Sequence, residues 1–234
     1  MENYTAYQPV VSPSEPFLMS RKLHPRQHRK PRKPASPPRA ARRRGGIVRP
    51  RHRLAGERDS QPFCPPERWH EPEGRVHIDI ITESAGQGYM HPVTAQEVAA
   101  RIEQLPERFR QPLEVVQLSR MTRKRALMPL YGLQWGSTVY LYPIEDSLIE
   151  TYTRSPLPAQ VTEARMYGGT WIQDGHRWEL HWTLPALKDF YLNNILIHEI
   201  GHVNDVRNTN SQDRERFAEW FAIEYGYRTS RRRK

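Results

Sequence analysis

Crosslinking sulfur is almost absent: the 234 residues include one cysteine, Cys64. An internal disulfide is therefore excluded, and with it a small secreted scaffold held together by crosslinks; a reducing, intracellular setting is the expectation. Long apolar runs are also missing. No stretch reaches the roughly 18 residues that a membrane helix needs, and the N-terminus lacks the apolar segment of a signal peptide, so a soluble chain without a membrane span is expected. Acidic residues are scarce in the first quarter, where only Glu2, Glu15, Glu57 and Asp59 stand against 15 Lys and Arg within residues 1–60. That segment carries +11, and the other 174 residues carry 21 basic against 22 acidic side chains, so the net +10 belongs entirely to the segment.

The same segment holds nine prolines, from Pro9 to Pro50, and no large aliphatic run. It cannot bury enough apolar surface to offset the entropy of ordering its backbone, which predicts a disordered basic Pro/Arg-rich extension over residues 1–66. The basic runs within residues 21–58 suit a nucleic acid or another polyanion, while a merely solubilising extension fits equally well. A transit-peptide role is opposed by the prolines, which break an amphipathic helix.

From residue 67 onward the composition is that of a folded α+β domain. Residues 75–81, 113–119, 138–142, 170–173 and 178–182 read as strands from their β-branched and aromatic content. Asp174-Gly175 is a hairpin signal between the last two, and Gly132, Gly136, Gly168 and Gly169 read as turns. Thr94 with Glu97 forms a capping-box pattern that opens a helix over 95–104. A second helix is predicted after Thr183, with Pro185 in its first turn, running to about Asn204 or Val206. A third spans 212–225, with Gly226 as its stop. The basic end, Arg231 to Lys234, is expected to fray.

The second predicted helix contains His198-Glu199-Ile200-Gly201-His202. Residues four apart on an α-helix differ by about 40° around the axis, so both imidazoles face one way and can hold a single metal ion. Glu199 then approaches the open coordination position from the side. Neutral imidazoles suit zinc, one ion per chain, and an adjacent carboxylate is what metal-assisted hydrolysis needs as its base. Phe190, Tyr191, Leu192, Ile195, Leu196, Ile197, Ile200 and Val203 make the helix apolar around most of its circumference, so polar groups on it require partners. The competing reading is a pair of core histidines bonded to carbonyls, with Glu199 at the surface.

A third ligand is expected from the last helix. Phe217, Ala218, Phe221, Ala222 and Tyr225 cover an arc of about 140°, and Glu215 falls about 20° beyond its edge. Its alanines would admit close approach to the histidine helix. Asp205 and Asp213 are weaker substitutes. Glu219 is placed to accept a hydrogen bond from the far nitrogen of a metal-bound histidine.

His198-Glu-Ile-Gly-His202, followed by Glu215-Arg-Phe-Ala-Glu219-Trp-Phe-Ala222, resembles the minimal gluzincin metallopeptidases, including the ImmA/IrrE-like proteins. The resemblance covers about residues 196–227. It implies zinc held by His198, His202 and Glu215, with Glu199 as general base; with the change of composition at residue 67, a zinc metallopeptidase-like domain is expected over 67–234. The family often has Asp or Asn where this chain has Glu219. The resemblance says little about the strands upstream; the expected architecture of the whole domain is a small mixed or antiparallel sheet packed on a central H-E-x-x-H helix and a following glutamate helix. The implied substrate is a protein or peptide.

Tyr191, Tyr225 and His181 are candidates to stabilise the oxyanion of a peptide-bond hydrolysis, with Tyr227 and His176 behind them; core packing is the alternative for each. Residues 138–141 could be an edge strand that pairs with an extended substrate, or an internal strand. The alternative function is a non-catalytic zinc-containing regulator, or a nucleic-acid-associated module tethered by the basic segment.

Overall fold

The computed structural model describes residues 65–232 apart from residues 75, 76 and 128. The expected basic extension up to Cys64, residues 75 and 76 of the first predicted strand, and the last two residues lie outside the described residues.

The domain is mixed α+β with small sheets. The main sheet has the order β1 (Asp79–Thr82), β3 (Val115–Leu118), β5 (Thr138–Leu141), β4 (Gly132–Trp135). The first three are parallel and β4 runs antiparallel to β5. Every residue of β3 and β5 is buried, as expected for strands covered on both faces. Val116, Leu118, Val139 and Leu141 point into the main core, while Tyr140 and Tyr142 belong to a second cluster with Leu130, Leu133 and Trp135 on the opposite face. Residues 65–74 cross that opposite face as a strap. His70 bonds Gln117 at 2.7 Å and stacks on Tyr140. Glu67 pairs with the fully buried Arg125 at 2.9 Å and accepts from the Tyr142 hydroxyl at 3.0 Å. Lys124 and Arg125 both donate to the Pro65 carbonyl, so ordered contacts reach back to the first described residue.

Two further sheets complete the β structure. β2 (Tyr89–Met90) pairs with β6 (Ile144–Glu145), and β7 (Ile149–Tyr152), β9 (Arg177–His181) and β8 (Thr170–Asp174) form an antiparallel sheet in that order. The predicted hairpin is present, with Gly175 and His176 as its two turn residues and Asp174 still paired with Arg177. Glu150 on β7 is 6% exposed. Its carboxylate accepts from the Tyr131 hydroxyl at 2.8 Å, the Trp182 indole N–H at 2.9 Å and the Tyr152 hydroxyl at 3.3 Å. Because Tyr131 immediately precedes β4, this buried carboxylate fastens the second sheet to the first.

The helices are α1 (Ala95–Glu103), α2 (Glu107–Arg110), α3 (Arg123–Leu127), α4 (Pro158–Met166), α5 (Leu184–Phe190), α6 (Leu196–Asn204), α7 (Ser211–Phe221) and α8 (Arg228–Arg231). The capping box on α1 is closed in both directions, Glu97 N–H to Thr94 Oγ1 at 3.2 Å and Thr94 N–H to the Glu97 carboxylate at 2.8 Å. α5 passes into α6 through a π-helical turn at Tyr191–Ile195, and α7 into α8 through another at Ala222–Tyr227. Gly226 therefore does not stop the helix. It sits in the second π turn directly on the Asn193 carbonyl, where a β-carbon would lie 2.0 Å from the oxygen. Arg101 on α1 ties the two π turns together through the Asn193 side chain at 2.7 Å and the Tyr225 carbonyl at 2.5 Å. Arg231, expected to fray, is held by Asp189 of α5 at 2.6 Å and lies over the Tyr227 ring, because the helical path continues through the π turn into α8. No helix among the described residues is long and apolar enough to cross a membrane.

Candidate metal centre

α6 is buried from Leu196 through Gly201, and this fixes the two imidazoles one turn apart on a helix that cannot rotate. The His198 and His202 Nε2 atoms face each other at 3.0 Å, with the rings nearly perpendicular at 79°. Glu215 on α7 points its carboxylate at the same place, 3.4 Å from His198 Nε2 and 3.6 Å from His202 Nε2. The three residues form a group that could hold a metal ion, with ligand atoms all within 4.8 Å of one another. His198 is 1% exposed, whereas the Glu215 side chain is 42% exposed, so the group is walled by the core on one side and open on the other.

Close approach of α7 to α6 is what completes the group. A β-carbon on Gly201 would lie 3.0 Å from Ala218 Cα and 3.1 Å from Phe221 Cβ, so the small residues at these crossing points set the helix spacing. Asn210 starts α7 in register by accepting from Asp213 N–H at 2.8 Å.

The donor set suits a transition metal. Ligand atoms about 2.0–2.2 Å from zinc at tetrahedral angles lie about 3.3–3.6 Å apart; here the imidazole nitrogens are 3.0 Å apart, and the nearest carboxylate oxygens are Oε2, 3.4 Å from His198, and Oε1, 3.6 Å from His202. Only the imidazole pair is a few tenths of an ångström tighter. Burial pushes the Glu215 carboxyl up, but the facing imidazoles outweigh it and hold the group well below the usual carboxylate range. It is thus an anion, the form a metal takes up.

Glu199, 5% exposed, packs between α6 and β4. A β-carbon on Gly132 would lie 2.8 Å from both Cγ and Oε1 of Glu199. Gly132 is therefore not the turn that the sequence suggested but the strand position whose missing side chain admits the Glu199 carboxylate. Thr138–Leu141 is internal, flanked by β3 and β4, and β4 holds the sheet edge. Because Tyr142 N–H donates to the Tyr131 carbonyl across the β4–β5 pair, alternation turns the main-chain groups of Gly132 and Gln134 away from β5, toward that edge.

The remaining expected residues sit elsewhere. Tyr191 is buried and its hydroxyl donates to the Tyr142 carbonyl at 2.9 Å. Tyr225 packs its ring on Phe109 and Phe221. His181 pairs with Glu179 on its own strand at 2.8 Å. None of these contacts involves the histidine–glutamate group. Asp205 accepts from the main chain and side chain of Asn208, and Asp213 serves the α7 cap, so both are committed to local structure. Glu219 is partly buried on α7; it does not accept from His202, whose Nδ1 is buried with no hydrogen-bond partner among the described residues.

Sequence reasoning missed β4 and Glu150. The two-residue step from Trp135 to Thr138 through Gly136-Ser137 is a hairpin signal that could have revealed β4. Nothing local marks Glu150, whose donors come from positions 131, 152 and 182. No protein family, curated protein or solved structure matches this chain.

Proposed function

We propose that the chain is a zinc-dependent metallopeptidase of gluzincin type, with His198, His202 and Glu215 as the zinc ligands and Glu199 as the general base. The observation that carries this reading is the convergence of two imidazole Nε2 atoms and a carboxylate beside a buried glutamate, at one edge of a sheet. Zinc in such a donor set supplies a Lewis acid for the scissile carbonyl and brings the pKa of its water to about 7. Glu199, confined by Gly132, takes the proton of the attacking water on a carboxylate oxygen and passes it to the leaving amine. The outward main-chain groups of Gly132 and Gln134 hold an extended peptide segment next to Glu199, which is why the substrate is a protein rather than a small amide. The small sheet packed on the H-E-x-x-H helix, with the glutamate helix behind it, belongs to the same reading. Residues 21–58 are assigned the separate role of holding a polyanion.

The test compares wild type with Glu199→Gln for zinc content and for cleavage of a denatured-protein mixture. Expected are about one zinc per chain in both, and turnover lower in the variant by about 100- to 10,000-fold. Zinc retained by a wild type that cleaves nothing would mark the site as structural and favour the regulator. Equal cleavage by both would remove Glu199 from the chemistry.

A further inference from the structure

Arg214 immediately precedes Glu215 on α7, and its guanidinium reaches across to β4, where NH2 donates to the Gln134 side-chain oxygen at 3.2 Å. The Gln134 amide is fixed from its other end, with Nε2 donating to the Gly136 carbonyl at 2.7 Å. Gln134 lies two positions from Gly132, so both project to the same face of β4, the face on which Gly132 meets Glu199. The guanidinium thus spans from the helix carrying one candidate ligand to the strand edge beside the candidate base.

Four other arginines of the domain are held in ion pairs. Arg216 pairs with Asp213, Arg228 with Glu224, Arg231 with Asp189 and Arg125 with Glu67. Arg214 makes no ion pair among the described residues, and its one protein partner, a neutral amide, leaves the charge uncompensated. A partly buried guanidinium with free N–H donors is the group that takes a carboxylate in a bidentate pair.

We propose that Arg214 is a specificity residue that selects substrates bearing an acidic side chain near the cleaved bond; this rests on the peptidase reading above. In an extended segment paired antiparallel with β4, the residue opposite Gln134 lies about two positions N-terminal of the one opposite Gly132, and its side chain points to the same face as Gln134. A Glu or Asp there reaches the Arg214 fork, whereas Gln offers only one neutral acceptor and Lys is repelled.

The experiment uses the full-length zinc-loaded protein. Cleavage sites in a peptide library are mapped by mass spectrometry, and kcat/KM is then measured for matched peptides with Glu, Gln or Lys at the selected position, using wild type, Arg214→Ala and Arg214→Glu. Wild type is expected to favour Glu over Gln by on the order of 10- to 100-fold, the worth of a charged hydrogen bond. That ratio should fall toward one in Arg214→Ala, and Lys should become the preferred residue in Arg214→Glu. Zinc content and melting temperature, measured alongside, separate this from unfolding. Cleavage by wild type without acidic preference, or an equal loss on all peptides in both variants, overturns the specificity role and leaves the peptidase intact. No cleavage of any peptide by zinc-loaded wild type overturns the peptidase reading, and the specificity role falls with it.

Discussion

Glu150 and Glu215 are both set among hydrogen-bonding side chains, and the contrast between them is that of a structural joint and a candidate site. Glu150 is enclosed, with donors from Tyr131, Tyr152 and Trp182 spending its acceptor capacity inside the protein. Glu215 faces two imidazole nitrogens and is 42% exposed. The Glu150 cluster is complete as it stands, because burial and proximity to that carboxylate push Tyr131 and Tyr152 well above the usual phenol range and keep them as donors. At Glu215 the surrounding atoms are the Nε2 atoms of two imidazoles, which lie close to the carboxylate and to each other and form with it a group that could hold a metal ion.

The comparison can be broken most sharply by removing each carboxylate in turn. Glu215→Ala should lower zinc affinity by more than the 10- to 100-fold typical of losing a residue behind the ligands, with little change in the apo fold. Glu150→Ala should leave His198, His202 and Glu215 in place but destabilise the chain by about 3–5 kcal/mol, since it orphans the buried donors of Tyr131 and Trp182 and the half-buried one of Tyr152. Zinc titration and denaturant unfolding on both variants check this. Loss of zinc binding in Glu150→Ala at a temperature where it remains folded would show that the two clusters are not separable.

The second prediction concerns pH. Burial pushes the Glu150 carboxyl from 4.5 to about 7, with the hydrogen bonds from Tyr131, Trp182 and Tyr152 pulling the other way. Below pH 4.5 the group is protonated in both folded and unfolded chains. Between 4.5 and 7 the folded chain keeps a proton that the unfolded chain has released, so stability falls as pH rises through that window and levels off above it. The drop amounts to about 3 kcal/mol. Unfolding midpoints at pH 5 and pH 8 should differ by less in Glu150→Gln than in wild type; an unchanged difference would place the titration elsewhere.

The smallest expected effect is at the helix crossing. Gly201→Ala places a methyl 3.0 Å from Ala218 Cα, and relief by separating α6 from α7 should cost about 1–3 kcal/mol. Since that movement draws Glu215 away from the histidines, zinc affinity should fall along with the melting temperature. A variant with unchanged affinity would mean that α7 can adjust without moving its carboxylate.

Legibility in the sequence followed the range of the interaction. The capping box at Thr94, the hairpin between β8 and β9 and the facing of His198 and His202 are set within a few residues, and local pattern was enough to place them. Glu215 was reachable because two consecutive helices joined by a short loop pack side by side, and the helical period then limits which residue can face the histidines. β4 was harder, since Gly132 reads as punctuation until a helix from some 67 positions later is known to press on it. The continuation of the last helix through Gly226 was missed for the same reason, as its cause is the Asn193 carbonyl on another element.

The sequence by itself determined the charge asymmetry and the helical spacing that aligns the two imidazoles, and it put Glu215 ahead of Asp205 and Asp213 as the expected third ligand. Each of these follows from composition or from backbone periodicity. Tertiary structure alone decided that β4 rather than β5 forms the sheet edge, that Gly132 makes room for Glu199, that Glu150 is sealed while Glu215 is open, and that Arg214 bridges α7 to β4. Those outcomes depend on which distant segments pack together, and packing is fixed by the shape of the whole core rather than by any local pattern.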